Sequence, residues 1–299
     1  MSLERELRPR GPYSLALTAR GAGDATRRFE DGRLTAALSV DGRTESATAW
    51  QRGDGAVVAR AESEAGLEQL RFVLALEDDH TDFLRRFARD PLLGRATSLL
   101  QGLRQVRVAT VAQALLRALC GQLIESSRAR AIEARIVRTA TPPLAGTRLH
   151  APPTSACLGR LAPVALRAHG LHARRGATLV RLCRSLELER LRTLPTDVVA
   201  RRIERERGLG PWSVGVICLE GLGRPERGLV GDLGLVKLLS ALRGRWVEAS
   251  ETAELLEPYG EWAGLASVYL MAAWGRGLIP LPNASRSRRP PARLRAAPA

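Results

Sequence analysis

Between Thr196 and Leu222 the chain reads TDVVARRIERERGLGPWSVGVICLEGL, and the Gly-Leu-Gly-Pro at its centre restricts the local fold more than any other stretch. Val198, Val199, Arg202, Ile203 and Glu206 recur at helical spacing, Pro195 and Thr196 are start signals, and Gly208 is a stop. Pro211 suits the first turn of a second helix, where its missing N–H costs nothing, so Gly208-Leu209-Gly210 must reverse the chain in three residues. The pattern predicts a helix-hairpin-helix. Its glycines leave backbone amides uncovered at a helix N-terminus, a place where an anion such as phosphate is stabilised, although a purely structural helical hairpin uses glycine at the same point. Twenty positions after Trp212, past a glycine-rich crossover, stands one carboxylate, Asp232, at the expected start of another helix.

Charge says what kind of partner such a hairpin would meet. The 299 residues carry 46 Lys and Arg against 31 Asp and Glu, a net charge of +15. Residues 1–90 hold 14 arginines against 16 acids, while residues 91–299 hold 32 basic residues against 15, so the surplus belongs to the second part. A polyanion is the natural partner, with binding that weakens as salt rises. A general preference for arginine explains part of the surplus, since Lys237 is the only lysine. No run reaches the roughly eighteen apolar residues of a membrane span, and the first residues are charged, which predicts a cytoplasmic, nucleoid-associated protein. Cys120, Cys157, Cys183 and Cys218 form no CxxC pair and read as buried thiols rather than disulfides or zinc ligands. His169 and His172 flank Gly170 with no acid or cysteine near, which argues against a metal.

The expected fold class is α+β. Tyr13–Thr18, Leu34–Val40, Thr44–Gln51 and Ala56–Ala61 read as strands turned at Asp31-Gly32, Asp41-Gly42 and Gly53-Asp54-Gly55, an antiparallel meander. A helix over 63–76, with Leu67, Leu70, Val73 and Leu74 on one face, covers it. Residues 11–90 thus form an N-terminal sheet domain with helices. Residues 91–282 read as an all-α bundle, including helices at 111–120, 126–138, 174–185, 233–241 and 262–274. Residues 283–299, with five arginines and no acid, read as a disordered basic tail.

Four motifs in order give the chain a family likeness. Besides the hairpin with Asp232, these are Cys120-Gly121-Gln122-Leu123, then Ala168-His169-Gly170-Leu171 followed by Arg174-Arg175-Gly176, and Glu261-Trp262 before an apolar helix. Over residues 11–280 the chain resembles the helix-hairpin-helix DNA glycosylases, and within them the 3-methyladenine DNA glycosylase type. The resemblance implies a monomeric repair enzyme acting on double-stranded DNA that contains damaged bases.

Hydrolysing a purine's N-glycosidic bond requires the base out of the stack and an anion near the sugar as positive charge develops on C1′. The resemblance makes Asp232 that carboxylate. It makes Leu123, with Gln122 before it, the wedge filling the hole in the duplex. Gly208, Leu209, Gly210 and Ser213 form the hairpin's grip on phosphate, whose carbonyls hold an alkali cation in relatives. Trp212 and Trp262 are expected around the base, where a π face suits a cationic purine, with Tyr259 and Trp274 as further candidates. Val216 stands where some relatives place a tyrosine, Ala263 where arginine is common, Glu206-Arg207 replace Leu-Pro, and Val214 replaces alanine. Relatives that also cut the strand use a lysine where this chain has Trp212, so a monofunctional, water-using enzyme is expected. No cofactor is implied, and no cysteine follows Cys218 to hold an iron–sulfur cluster. Two other readings compete: a lesion-binding protein without catalysis, and a glycosylase for oxidised or deaminated bases.

Overall fold

The computed structural model describes residues 2–122 and 124–281, so the tail and Leu123, the expected wedge, lie outside the described residues. Five strands, β1 (Leu3–Leu7), β2 (Arg27–Glu30), β3 (Arg33–Val40), β4 (Arg43–Gln51) and β5 (Val57–Ala61), form one antiparallel sheet in the order β1-β5-β4-β3-β2. The two tight turns close as anticipated. Asp31-Gly32 and Asp41-Gly42 both take positive φ at both positions, the backbone that matches strand twist in two-residue hairpins.

Two expectations for the sheet need correction. Residues 13–18 are not a strand: Ser14 Oγ accepts the Leu17 amide at 3.2 Å and caps a short helix, α1 (Leu15–Ala19). The sheet also begins earlier than residue 11, because Leu3–Leu7 pairs with β5. The helix α2 (Glu64–Val73) starts at Ser63, whose Oγ accepts the Gly66 amide at 3.0 Å, and it buries Leu67, Leu70 and Val73 against the sheet.

The remaining elements are helical, apart from an isolated bridge between Pro143 and His150. They are α3 (Thr81–Arg86), α4 (Gly94–Leu99), α5 (Val111–Gly121), α6 (Ser126–Ala140), α7 (Ser155–Gly159), α8 (Pro163–Ala168), α9 (Ala173–Ser185), α10 (Thr196–Glu204), α11 (Pro211–Val216), α12 (Leu233–Arg243), α13 (Thr252–Leu256) and α14 (Ala263–Trp274), with short 3-10 turns between. α5 is the central post: Val111, Leu115, Leu116 and Leu119 are almost wholly buried. α11 does not run on as a regular helix. It passes into a π-helical segment, Ile217–Leu222, that ends at Gly223 with φ of +70°. Such segments are rare and frequently lie at functional sites.

Two apolar cores result, one under the sheet and one within the helices. Arginines stitch them together. Arg104, 1% exposed, donates to the carbonyls of Ala75, Arg10 and Pro12, and Arg27 donates to the carbonyl of Arg107. Part of the basic surplus is therefore internal mortar rather than surface charge. The four cysteines are free, and burial pushes the Cys183 and Cys218 thiols up to about 12, where they are inert at neutral pH.

Candidate active site

The hairpin forms as the sequence dictates. α10 ends at Glu204, Gly208 takes φ of +93°, a conformation open to glycine, and Gly210 in extended backbone precedes Pro211 at the first position of α11. Among the described residues, the amides of Gly210, Trp212 and Ser213 have no acceptor. Leu209 and Ser213 are buried, so from these two residues the hairpin offers backbone rather than side chains. Gln122 ends α5 and donates from Nε2 to the Gly208 carbonyl at 2.8 Å and to Ser213 Oγ at 3.1 Å. Grouped with the wedge in the sequence, Gln122 is a brace between that loop and the hairpin. The Gly208 carbonyl keeps a second lone pair for the alkali cation that the resemblance implies.

Asp232 is delivered by a crossover pressed between helices. A Cβ on Gly215 of α11 would sit 2.5 Å from the Gly228 carbonyl, and one on Gly264 of α14 would sit 2.7 Å from those of Pro225 and Arg227. Only glycine permits that approach. Gly231 then turns with φ of +87° while its amide donates to Thr252 Oγ1 at 2.7 Å. Asp232 Oδ1 caps α12, accepting the amides of Gly234 at 2.7 Å and Leu235 at 3.4 Å, and Oδ2 accepts the Trp212 indole N–H at 3.0 Å. The cap and the indole bond share one carboxylate, whose charge the helix N-terminus also favours. Trp212 is itself fixed, because its ring lies where a side chain on Gly121 would be, 2.5 Å away.

Both residues line a cavity of about 950 Å³ that also meets Val216, Lys237, Trp246, Met271 and Arg276. Its wall includes a charged cluster invisible in the sequence. Arg117 of α5 bonds Asp24 at 2.6 Å, Glu133 of α6 at 2.8 Å and Glu220 of the π-helical segment at 2.5 Å, and Arg27 also pairs with Asp24. Burial alone would raise the Asp24 carboxyl, but Arg27, Arg117 and Thr26 hold it below the ordinary carboxylate range. Burial likewise opposes charge on Arg117, yet its three carboxylates hold the proton more firmly than usual.

Three expected aromatics are elsewhere. Trp262 and Tyr259 do not line this cavity. They belong to an aromatic cluster in which Phe83 faces Trp262 at 5.9 Å and Phe87 meets Tyr259 edge-on at 5.1 Å, and Tyr259 donates its hydroxyl to Asp90 at 3.3 Å. Burial, with Asp90 beside it, raises that hydroxyl's pKa. Trp274 packs against the helical core. Aromatic residues on a helix approaching the site satisfy the sequence pattern whether they face the cavity or the core, and here they face the core. Trp246 was missed, for a lone tryptophan between helices has no periodicity to reveal it. His172 caps α9 through Nδ1, accepting the Arg174 amide at 3.3 Å.

No family model matches the chain. In sequence it is similar to a DNA-3-methyladenine glycosylase of Bacillus subtilis (strain 168), 24% identical over 204 residues that make up 65% of this chain and 67% of that protein. In fold it is similar to a 3-methyladenine DNA-glycosylase from Archaeoglobus fulgidus, with a TM-score of 0.79, 20% identity and coverage of 91% of this chain and 97% of that one. It is also similar to an 8-oxoguanine glycosylase/lyase of Clostridium acetobutylicum in complex with double-stranded DNA, with a TM-score of 0.74, 17% identity and coverage of 92% and 98%.

Proposed function

We propose that this chain, a DNA glycosylase of the helix-hairpin-helix class, hydrolyses the N-glycosidic bond of extrahelical alkylated purines and leaves the strand intact. The observation that carries the reading is Asp232, held by two helix amides and an indole N–H on the wall of a cavity large enough for a nucleoside. As the base departs, positive charge grows on the sugar, and a fixed carboxylate stabilises it or orients the attacking water. The hairpin amides would hold a phosphate of the same strand. The sheet would serve as support for the helical glycosylase unit of a monomer working where the DNA is.

The preference for alkylated bases rests on the aromatic part of the cavity wall, since an electron-rich indole face suits a base made cationic by alkylation. Trp212 and Val216 supply apolar surface on that wall.

Free-base release from methylated duplex DNA tests the assignment. Wild type should release base and Asp232→Asn should lose at least about 100-fold in rate, since electrostatic contributions of this kind are worth about 3 kcal/mol or more. Binding without release by both would leave a lesion-binding protein. One observation favours a second reading: the single lysine, Lys237, lines the cavity and stands 3.9 Å from Glu125, so a strand-cutting amine is present in principle. Borohydride added during turnover should trap no covalent DNA adduct. An adduct that disappears in Lys237→Gln would establish the lyase reading instead.

A further inference from the structure

Of the five tryptophans, four have partners within the chain. Trp212, Trp262 and Trp274 pack on the helical core, and Trp50 lies beneath the guanidinium groups of Arg33 and Arg60, at 4.6 and 5.7 Å. Trp246 is 64% exposed. Its indole offers a large rigid apolar face that is stabilised when it is covered.

The loop that carries it is rigidly built. Gly244 ends α12 with φ of +64°. Val247, directly after Trp246, is 1% exposed and donates its amide to Ser240 Oγ at 3.1 Å. On the other side, Arg245 bonds both oxygens of Glu251, at 3.1 and 2.5 Å, and donates to the Trp246 carbonyl at 3.0 Å. Glu248 completes the frame by donating its amide to Glu251 Oε1 at 2.7 Å. The backbone is therefore held before and after the indole, which lines the same cavity as Asp232 and Trp212.

We propose that Trp246 stacks on the extrahelical base and forms part of the base-binding wall. This rests on the glycosylase reading and names the residue that performs the aromatic role expected of Trp262 and Tyr259. The partner is identified by chemistry: a flat π system, since an indole presents a face; a cation or a polarised purine, since that face is electron-rich; and part of a polyanion, since Lys237, Arg130 and Arg276 also line the cavity. Trp212 cannot swing to meet a base, because its N–H is held by Asp232 and its ring lies against Gly121. Trp246 has a fixed backbone and an uncovered ring.

The test compares two duplexes, one with a hydrolysis-resistant 2′-fluorinated 7-methylguanine nucleotide and one with a tetrahydrofuran abasic site at the same position. Trp246→Ala should weaken binding to the base-bearing duplex about 5- to 100-fold, leave the abasic duplex within twofold, and recover most affinity as Trp246→Phe. Equal weakening on both duplexes would place the indole on the DNA outside the pocket, and no change on either would remove it from recognition; both outcomes overturn the proposal. Wild type that neither prefers the base-bearing duplex nor releases base from methylated DNA would overturn the glycosylase reading along with it, whereas a preference kept intact by Trp246→Ala counts against Trp246 alone. The side chain is exposed, so the fold should survive its removal, and an unchanged circular dichroism spectrum and melting midpoint verify that.

Discussion

The cap formed by Asp232 was legible because an aspartate that follows a glycine-rich crossover and precedes an apolar helix is a start signal. The residue's hydrogen bond to Trp212 was not, since nothing in the order of residues says which nitrogen reaches which oxygen. Titratable groups away from the site also carry consequences at this scale. His80 is buried, with Nε2 3.9 Å from Asp78, and burial pushes its imidazole down to about 4 despite that carboxylate. The unfolded chain, with an ordinary histidine near 6.5, binds the proton more readily between these values. The stability that neutral His80 contributes is thus fully present above pH 6.5 and falls away as pH drops toward 4, by about 3 kcal/mol. Urea unfolding at several pH values should show that slope in wild type and a flatter one in His80→Gln, and equal slopes would mean that His80 is not the group responsible.

Among the elements, what the sequence revealed and what it hid divide by exposure. β3, β4 and the α2 face were visible as alternating or helical apolar patterns with the right turns beside them. The two missed strands, β1 (LEREL) and β2 (RRFE), are the edges of the sheet, where charged side chains blunt further pairing and so erase the alternation by which a strand is recognised. Residues 13–18 show the converse, a short apolar run whose helix was decided by the Ser14 cap. The crossover to Asp232 was visible as glycine-rich, but its reason is steric. Gly215→Ala would drive a methyl to within 2.5 Å of the Gly228 carbonyl, with backbone on the receiving side. It should cost about 1–3 kcal/mol in thermal unfolding and reduce base release by more than the loss of folded protein explains. Gly53→Ala, with no atom within 4 Å, is the control and should change neither.

At the scale of the whole molecule, buried arginines join the two apolar cores, and the two should unfold as one body. Arg117 alone connects Asp24 of the N-terminal segment, Glu133 of α6 and Glu220 of the π-helical segment. Calorimetry should show a single transition for wild type. Arg117→Met strands Asp24, Glu133 and the partly exposed Glu220 with Arg27 as their one guanidinium, so it should cost about 3–5 kcal/mol and lower the midpoint for both cores. A midpoint within a degree of wild type would mean that the cores are joined by apolar packing instead. This network could not be read from composition, in which an arginine that binds DNA and an arginine that binds a carbonyl weigh the same.

The same scarcity that leaves Lys237 alone in a chain of 46 basic residues gives the protein a practical property. Its ammonium is half-exposed and lines the cavity that holds Asp232. Among the side chains, an amine-reactive dye has one place to attach, and on the proposed function that place reports on the arrival and departure of DNA.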